Sequence, residues 1–106
     1  MSSFQKLEHR VLGSIASRWG KDDKAEELCH QSLAVYTELG NRAGIAKIWV
    51  LLGDIASRRG EDDKAEGLYN QSLEIRIELG DRAGITEIWG LLGDIARNRG
   101  EYECAE

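Results

Sequence analysis

The chain repeats itself with a period of 40 residues, and this repeat constrains the fold more than any other feature. Residues 11–50 align with residues 51–90 without a gap, and about 25 of the 40 positions are identical. In this alignment a third copy begins at Leu91 and runs to Glu106. Counted in pairs of predicted helices, the copies are about 1–40, 41–80 and 81–106, and they are numbered in this way below. A unit of this length is one supersecondary element that buries its apolar face by stacking on its neighbours. The sequence therefore predicts an array of stacked units rather than one closed globule.

Each copy carries two stretches of helical periodicity. In the second copy, the first stretch places apolar residues at the spacing of a single stripe on an α-helix: Ile45, Ile48, Trp49, Leu52, Ile55 and Ala56. The second stretch has the same kind of spacing: Ala65, Leu68, Tyr69, Ser72 and Leu73. Strict alternation of apolar and polar residues is absent, so the pattern predicts helices and no strands.

Glycines and short polar residues mark the expected helix ends. A helix C-terminus favours a left-handed residue, and glycine stands at each such place: Gly20, Gly40, Gly60 and Gly80. Candidate N-caps follow these glycines: Asp22, Asp23, Asn41, Asp62, Asp63 and Asp81. Asp63 and Glu66 also have the spacing of a capping box. These signals predict helices at about 4–19, 22–39, 42–59, 62–79 and 82–99, with a sixth starting near 102.

The fold class that follows is all-α. Connections of a few residues make neighbouring helices antiparallel, so each copy forms a helical hairpin. We expect a single domain over residues 1–106, with repeats at about 1–40, 41–80 and an incomplete 81–106. The hairpins bury their stripes against one another and form a solenoid of five helices plus the start of a sixth.

The repeat resembles the tetratricopeptide repeat. The second copy matches the positions of that family's signature: Trp49, Leu52, Gly53, Ala56, Gly60, Ala65 and Tyr69. The third copy matches at Trp89, Leu92, Gly93, Ala96, Gly100 and Ala105, while in the first copy His9 and Cys29 replace the Trp and the aromatic residue. The period of 40 departs from the usual 34 and is similar to the longer-repeat branch of the family. The resemblance implies a right-handed superhelical solenoid whose first helices line a concave groove.

In that fold, one face of each first helix would form a peptide-binding groove. The residues on this face are Arg10, Ser14, Arg18, Lys47, Val50, Asp54, Arg58, Glu87, Asp94 and Arg97. Carboxylates would accept hydrogen bonds from peptide amides or basic side chains, and arginines would bind carboxylates. The alternative is a solvated face whose charges only form pairs along the helix.

Charge and hydropathy argue against several classes of function. A net charge of −5 argues against nucleic-acid binding, which needs a basic surface. No apolar run reaches the length of a membrane span and no signal peptide is recognisable, so we expect a cytoplasmic protein. Cys29 and Cys104 stand at non-equivalent repeat positions, which is typical of isolated thiols.

No pattern indicates catalysis. His9 and His30 lack neighbours at zinc-ligand spacing, and no nucleophile elbow, phosphate loop or dinucleotide fingerprint occurs. We therefore predict no enzyme, no metal and no cofactor.

Two functions remain open. The first is a scaffold that binds a protein or peptide segment in the groove. The second is a self-assembly module that forms homo-oligomers through its C-terminal helix, where we expect an uncovered apolar stripe: Ile88, Trp89, Leu92 and Ile95.

Overall fold

The structure, a computed structural model, describes the backbone of residues 13–105 and the side chains of residues 21–100. Within this part of the chain every regular element is an α-helix. The four helices are α1 (Gly13–Leu39), α2 (Arg42–Arg58), α3 (Asp62–Leu79) and α4 (Arg82–Ala105). Each helix packs on the next one along the chain, α1 on α2, α2 on α3 and α3 on α4.

Three turns separate the helices, and each contains a glycine in the left-handed conformation. The φ angles are 67° at Gly40, 78° at Gly60 and 69° at Gly80. A side chain with a Cβ atom is strained there, whereas glycine is not. The predicted turns at these three positions are confirmed.

The helices that follow two of these turns begin with a side-chain cap. Asn41 Oδ1 accepts a 2.9 Å hydrogen bond from the backbone N–H of Gly44, and Asp81 Oδ1 accepts one of 3.0 Å from Gly84. Each cap satisfies a backbone donor that the first turn of a helix leaves free. The predicted caps at Asn41 and Asp81 are therefore confirmed.

Two predicted turns do not form. α1 continues through Gly20 and α4 continues through Gly100, so the described residues form four helices where the sequence predicts five and the start of a sixth. Glycine inside a helix costs only about 1 kcal/mol relative to alanine, so a glycine permits a helix to end without forcing it to end. Across Gly60, the two arms of the hairpin pack against each other, with Gly53 of α2 against the ring of Tyr69 of α3.

The predicted capping box at the start of α3 is wrong. The N-cap is Glu61, and its side chain makes no capping hydrogen bond, while Asp62 and Asp63 lie in the first helical turn. Asp63 and Glu66 instead accept hydrogen bonds from Arg99 of α4. In the first copy, the candidate caps Asp22 and Asp23 lie inside α1.

The core runs along α2 and joins it to both neighbouring helices. Its buried apolar side chains come mainly from α2, with further members on α3 and α4: Ile45, Ile48, Val50, Leu52, Ile55, Ala56, Ala65, Tyr69, Ile75, Ile88 and Ile95. Burial of one such aliphatic side chain stabilises the fold by about 1.5–3 kcal/mol. Packing of the apolar stripes, rather than helix propensity, therefore holds the hairpins together.

Small residues let α2 and α3 approach closely. A Cβ atom added at Gly53 would lie 2.5 Å from the ring of Tyr69, so only glycine fits against this ring. Ser72 is fully buried, and its hydroxyl donates a 2.8 Å hydrogen bond to the carbonyl oxygen of Ala46. The α2/α3 hairpin is thus fixed by both shape and hydrogen bonding.

The apolar stripe of α4 is only partly uncovered, which corrects the expectation from the sequence. Ile88 and Ile95 are buried in the core cluster that also contains Val50 and Tyr69. Trp89, by contrast, is 60% exposed. Among the described helices, none has the length and apolar character needed to cross a membrane.

Candidate functional site

A groove lies between α2 and α4, the first helices of the second and third copies. It encloses about 210 Å³ and is lined by Asp54, Ser57, Arg58, Tyr69, Leu91, Asp94, Ile95 and Asn98. We call it the α2/α4 groove. Its walls are polar, and its apolar contribution comes from Leu91, Ile95 and the ring of Tyr69.

The floor of the groove is built around Tyr69 of α3. This residue is only 2% exposed, and its hydroxyl donates a 2.6 Å hydrogen bond to Asp54 Oδ1. Burial raises the pKa of Tyr69 well above its ordinary value, and the hydrogen bond to the Asp54 carboxylate raises it further. The phenol therefore stays protonated and fixes the orientation of the carboxylate in the groove.

Arg58 forms one wall and is held by α1. Its guanidinium donates two hydrogen bonds to Asp22 Oδ1, at 3.3 Å from Nε and 2.9 Å from Nη2. The bond to Asp22 raises the pKa of Arg58, so the residue remains a cation. Asp94 lies on the opposite wall, where Arg97 approaches its carboxylate at 3.4 Å. Two carboxylates and one anchored cation thus converge on a small volume.

The structure brings together three of the ten groove residues predicted from the sequence, namely Asp54, Arg58 and Asp94. Lys47, Glu87 and Arg97 are exposed on the same two helices but outside the lining of this groove. The other predicted residues of the first copy have no described side chains. Arg10 lies outside the described residues, and Ser14 and Arg18 are described by their backbone only.

The structure corrects the predicted position of Val50. We predicted it in the groove, but it is only 8% exposed and belongs to the core cluster with Tyr69, Ile88 and Ile95. Its position on α2 faces the junction between α3 and α4, so the apolar side chain is taken into the core. Conversely, sequence reasoning treated Tyr69 as purely structural and missed that its hydroxyl enters the groove.

The sequence also did not lead us to predict a recurring contact in which one arginine binds two acidic side chains of the preceding helix. Arg59 donates hydrogen bonds to Asp23 Oδ1 at 2.6 Å and to Glu26 Oε1 at 3.2 Å, which ties the end of α2 to α1. Arg99 makes the same contacts one period later, with Asp63 and Glu66 of α3. The signal was present in the sequence, since an acidic pair three residues apart and an arginine 36 residues after its first member recur with the 40-residue period.

A second, larger groove lies between α1 and α3, with α2 as its floor. It encloses about 620 Å³ and is lined by Leu33, Thr37, Arg42, Ile45, Trp49, Gln71, Glu74, Ile75, Ile77 and Glu78. Arg42 and Glu78 form a 2.9 Å ion pair at its edge, and both side chains are about half exposed. We call it the α1/α3 groove; it is apolar at the floor and charged at the edge.

The described side chains include no group of three histidine, cysteine or acidic residues placed to hold a metal ion. Cys29 is a buried free thiol, and burial, with a smaller effect of Glu26, raises its pKa. A protonated, buried thiol is a poor nucleophile. The linings of the two grooves offer hydrogen bonds, ion pairs and apolar contact to a ligand.

Comparison with known protein families identifies the repeat. The family model described as tetratricopeptide repeat matches residues 5–78. No curated protein and no solved structure matches the chain significantly. Repeats of this family commonly mediate protein–protein interactions and are typically non-catalytic. The matched stretch covers more than half of the sequence, and the chain therefore belongs to the tetratricopeptide repeat family.

Proposed function

We propose that the protein is a cytoplasmic scaffold that binds a peptide segment of a partner protein in the α2/α4 groove. The single observation that carries this is the convergence of Asp54, Arg58 and Asp94 around the buried hydroxyl of Tyr69. In this proposal the chain is a member of the 40-residue-period branch. Its hairpins stack into a right-handed superhelical solenoid, and this groove lies on the concave side.

The groove is suited to binding because its polar groups are already fixed. Tyr69 orients Asp54, and Asp22 orients Arg58 from a neighbouring helix. Side chains that are ordered before binding lose less conformational entropy when the ligand arrives. The α1/α3 groove is larger, but its exposed edge pair, Arg42 and Glu78, is not held by any further ion pair among the described residues.

The lining also suggests which peptides bind. Asp54 and Asp94 accept hydrogen bonds, so they suit backbone amides or the side chains of lysine and arginine. Leu91 and Ile95 offer an apolar surface beside them. We therefore expect a segment that combines a basic residue with an apolar one, which also agrees with the net charge of −5.

A peptide array followed by fluorescence anisotropy tests this proposal. Asp94→Lys replaces an exposed carboxylate of the groove by a cation, and we expect at least about tenfold weaker binding of any basic peptide selected on the array. The matched control is Glu27→Lys, which makes the same charge change at an exposed position of α1, away from the groove. Equal loss in both variants, or no loss in either, would contradict binding in this groove.

A second copy of the chain is the alternative partner. The observation that favours it is Trp89, a large aromatic side chain that is 60% exposed on α4. Exposed apolar surface of this kind is typical of protein–protein contacts. In this second candidate function the protein assembles into homo-oligomers through α4.

A further inference from the structure

The packing of α2 on α3 can be compared with the exposed surface of α4, because α2 and α4 occupy equivalent places in the repeat. Adding 40 to a residue number converts a position on α2 into the equivalent position on α4. On α2, the small residues Ala46, Gly53 and Ala56 are buried against α3. Their equivalents on α4 are all exposed, namely Thr86, Gly93 and Ala96. Trp89 is likewise exposed, whereas Trp49 is half-buried.

The surface of α1 exposes apolar residues whose equivalents on α3 are buried or half-buried. Subtracting 40 converts a position on α3 into one on α1. Ile75 on α3 is 5% exposed and packs beside Trp49, whereas Val35 on α1 is 52% exposed. Leu68 is half-buried, whereas Leu28 is 51% exposed. The contact that joins α2 to α3 is therefore present as two unpaired halves, one on α4 and one on α1.

Among the residues that the structure describes, no helix covers either half. α1 runs straight through Gly20, so residues 13–19 continue along the helix axis instead of folding back onto it. α4 likewise runs straight through Gly100 to Ala105. Both helices therefore extend beyond the α2/α3-like pairing at the same end of that pairing.

We propose that the protein associates head to tail, with α1 of one copy packing on α4 of the next in the register of α2 on α3. In each repeat, a first helix packs on a second helix, as α2 packs on α3. Among the described helices, α4 is a first helix and α1 is a second helix, so α4 of one copy and α1 of another can form the same kind of pair. This inference specifies the interface of the second candidate function above and does not depend on peptide binding in the α2/α4 groove.

Charge complementarity supports the same register. Arg42 and Glu78 form an ion pair across the α2/α3 contact, and their equivalents are Arg82 on α4 and Glu38 on α1. Both are exposed, and neither has an ion pair with another described residue. In the head-to-tail junction, Arg82 of one copy faces Glu38 of the second copy. The side chains of Trp89 and Val35 meet as Trp49 and Ile75 do within the chain.

One position differs and weakens the junction. Cys29 stands on α1 where Tyr69 stands on α3. The junction therefore lacks a phenol that would donate a hydrogen bond to Asp94, the equivalent of Asp54. No ring fills the space above Gly93, which has nothing within 4 Å of an added Cβ atom. Association is therefore expected to depend on concentration. Because a head-to-tail contact does not close on itself, the assemblies grow as open chains.

Sedimentation velocity at several concentrations tests the junction. The wild type should form species that grow with concentration beyond a dimer. Trp89→Asp and Val35→Asp each place a charge in one half of the contact, and each should weaken association at least about tenfold. The control Leu79→Asp changes an exposed apolar residue of α3, outside the junction, and should associate as the wild type does. Far-UV circular dichroism confirms that each variant is folded.

Mixing the two variants distinguishes this arrangement from a symmetric one. The Trp89→Asp chain keeps an intact α1 face, and the Val35→Asp chain keeps an intact α4 face. A mixture should therefore recover dimers but no longer species. A variant pair that stays monomeric when mixed, or a wild type that stays monomeric at every concentration, would overturn the proposal.

An exchange of charges provides a test that leaves the apolar contact untouched. Arg82→Glu alone and Glu38→Arg alone should each weaken association about two- to fivefold, and the double variant should recover it. The control Glu27→Arg lies at the position equivalent to Gly67, where an added Cβ atom meets nothing, and should have no effect. Failure of the double variant to recover association would show that the register is wrong, whatever the result of the peptide experiments.

Discussion

The hydrogen bond between Tyr69 and Asp54 should stabilise the fold measurably, and the substitution Tyr69→Phe tests this. The bond is 2.6 Å long, and the tyrosine is almost completely buried. Phenylalanine keeps the ring that packs on Gly53 and removes only the hydroxyl. A hydrogen bond to a charged group contributes about 1.5–3 kcal/mol, but Asp54 is only half-buried and water replaces part of the bond. We therefore expect a loss of about 1–2 kcal/mol in the free energy of unfolding.

The same bond predicts a pH dependence with a definite sign. Burial and the hydrogen bond to Asp54 raise the pKa of Tyr69 above its ordinary value of 10.0. The folded chain thus holds the phenol proton more tightly than the unfolded chain does. The stabilisation is complete below about pH 10 and decreases as the pH rises beyond it. Above that pH, the stability of the wild type should fall more steeply than that of Tyr69→Phe.

Urea unfolding followed by circular dichroism, at pH 7 and at pH 10.5, measures both effects. A double-mutant cycle with Asp54→Ala isolates the pairwise contribution, which should be at least about 1 kcal/mol. Tyr36→Phe is the matched control, because its ring packs on Gly44 but its hydroxyl makes no hydrogen bond to another described residue. A coupling below about 0.5 kcal/mol, with equal effects of the two Tyr→Phe changes, would refute the reasoning.

Three further predictions concern the turns and the close helix contact. Gly53→Ala should destabilise the fold by about 1–3 kcal/mol, because the added Cβ atom would lie 2.5 Å from the ring of Tyr69, whereas Gly67→Ala on the open face of α3 should stabilise it by about 0.5–1 kcal/mol. Thermal unfolding compares the two, and a change of the same sign in both would contradict this view of the contact. Asn41→Ala should cost about 1 kcal/mol through loss of the cap, while Asn41→Ser should restore most of it in urea unfolding. The hydrogen bonds that Asp81 accepts from Gly84 and Arg76 lower its pKa, so its stabilisation is complete above about pH 4 and is lost as the pH falls further. Asp81→Asn should reduce the acid sensitivity measured between pH 5 and pH 2, and an unchanged acid profile would contradict this role.

The site could be predicted only in part. The helical stripe places Asp54, Arg58 and Asp94 on the same faces of two equivalent helices, and spacing alone is enough to infer that. Spacing does not reveal that Val50 turns into the core, because its neighbours there come from α3 and α4. It also does not reveal that Tyr69 reaches Asp54, since that bond joins two helices across a turn.

What the sequence determined by itself is the repeating unit, its helical stripes, and the turns at Gly40, Gly60 and Gly80. These features depend on local preferences, namely apolar periodicity, caps and glycine in the left-handed conformation. What only the tertiary structure decided is whether a glycine of the same motif turns the chain. Gly20 and Gly60 precede nearly the same residues, yet one lies inside a helix and the other in a turn. The physical reason is that glycine accepts either conformation at little cost. The turn forms where the two arms it joins bury side chains against each other, as α2 and α3 do at Gly53 and Tyr69.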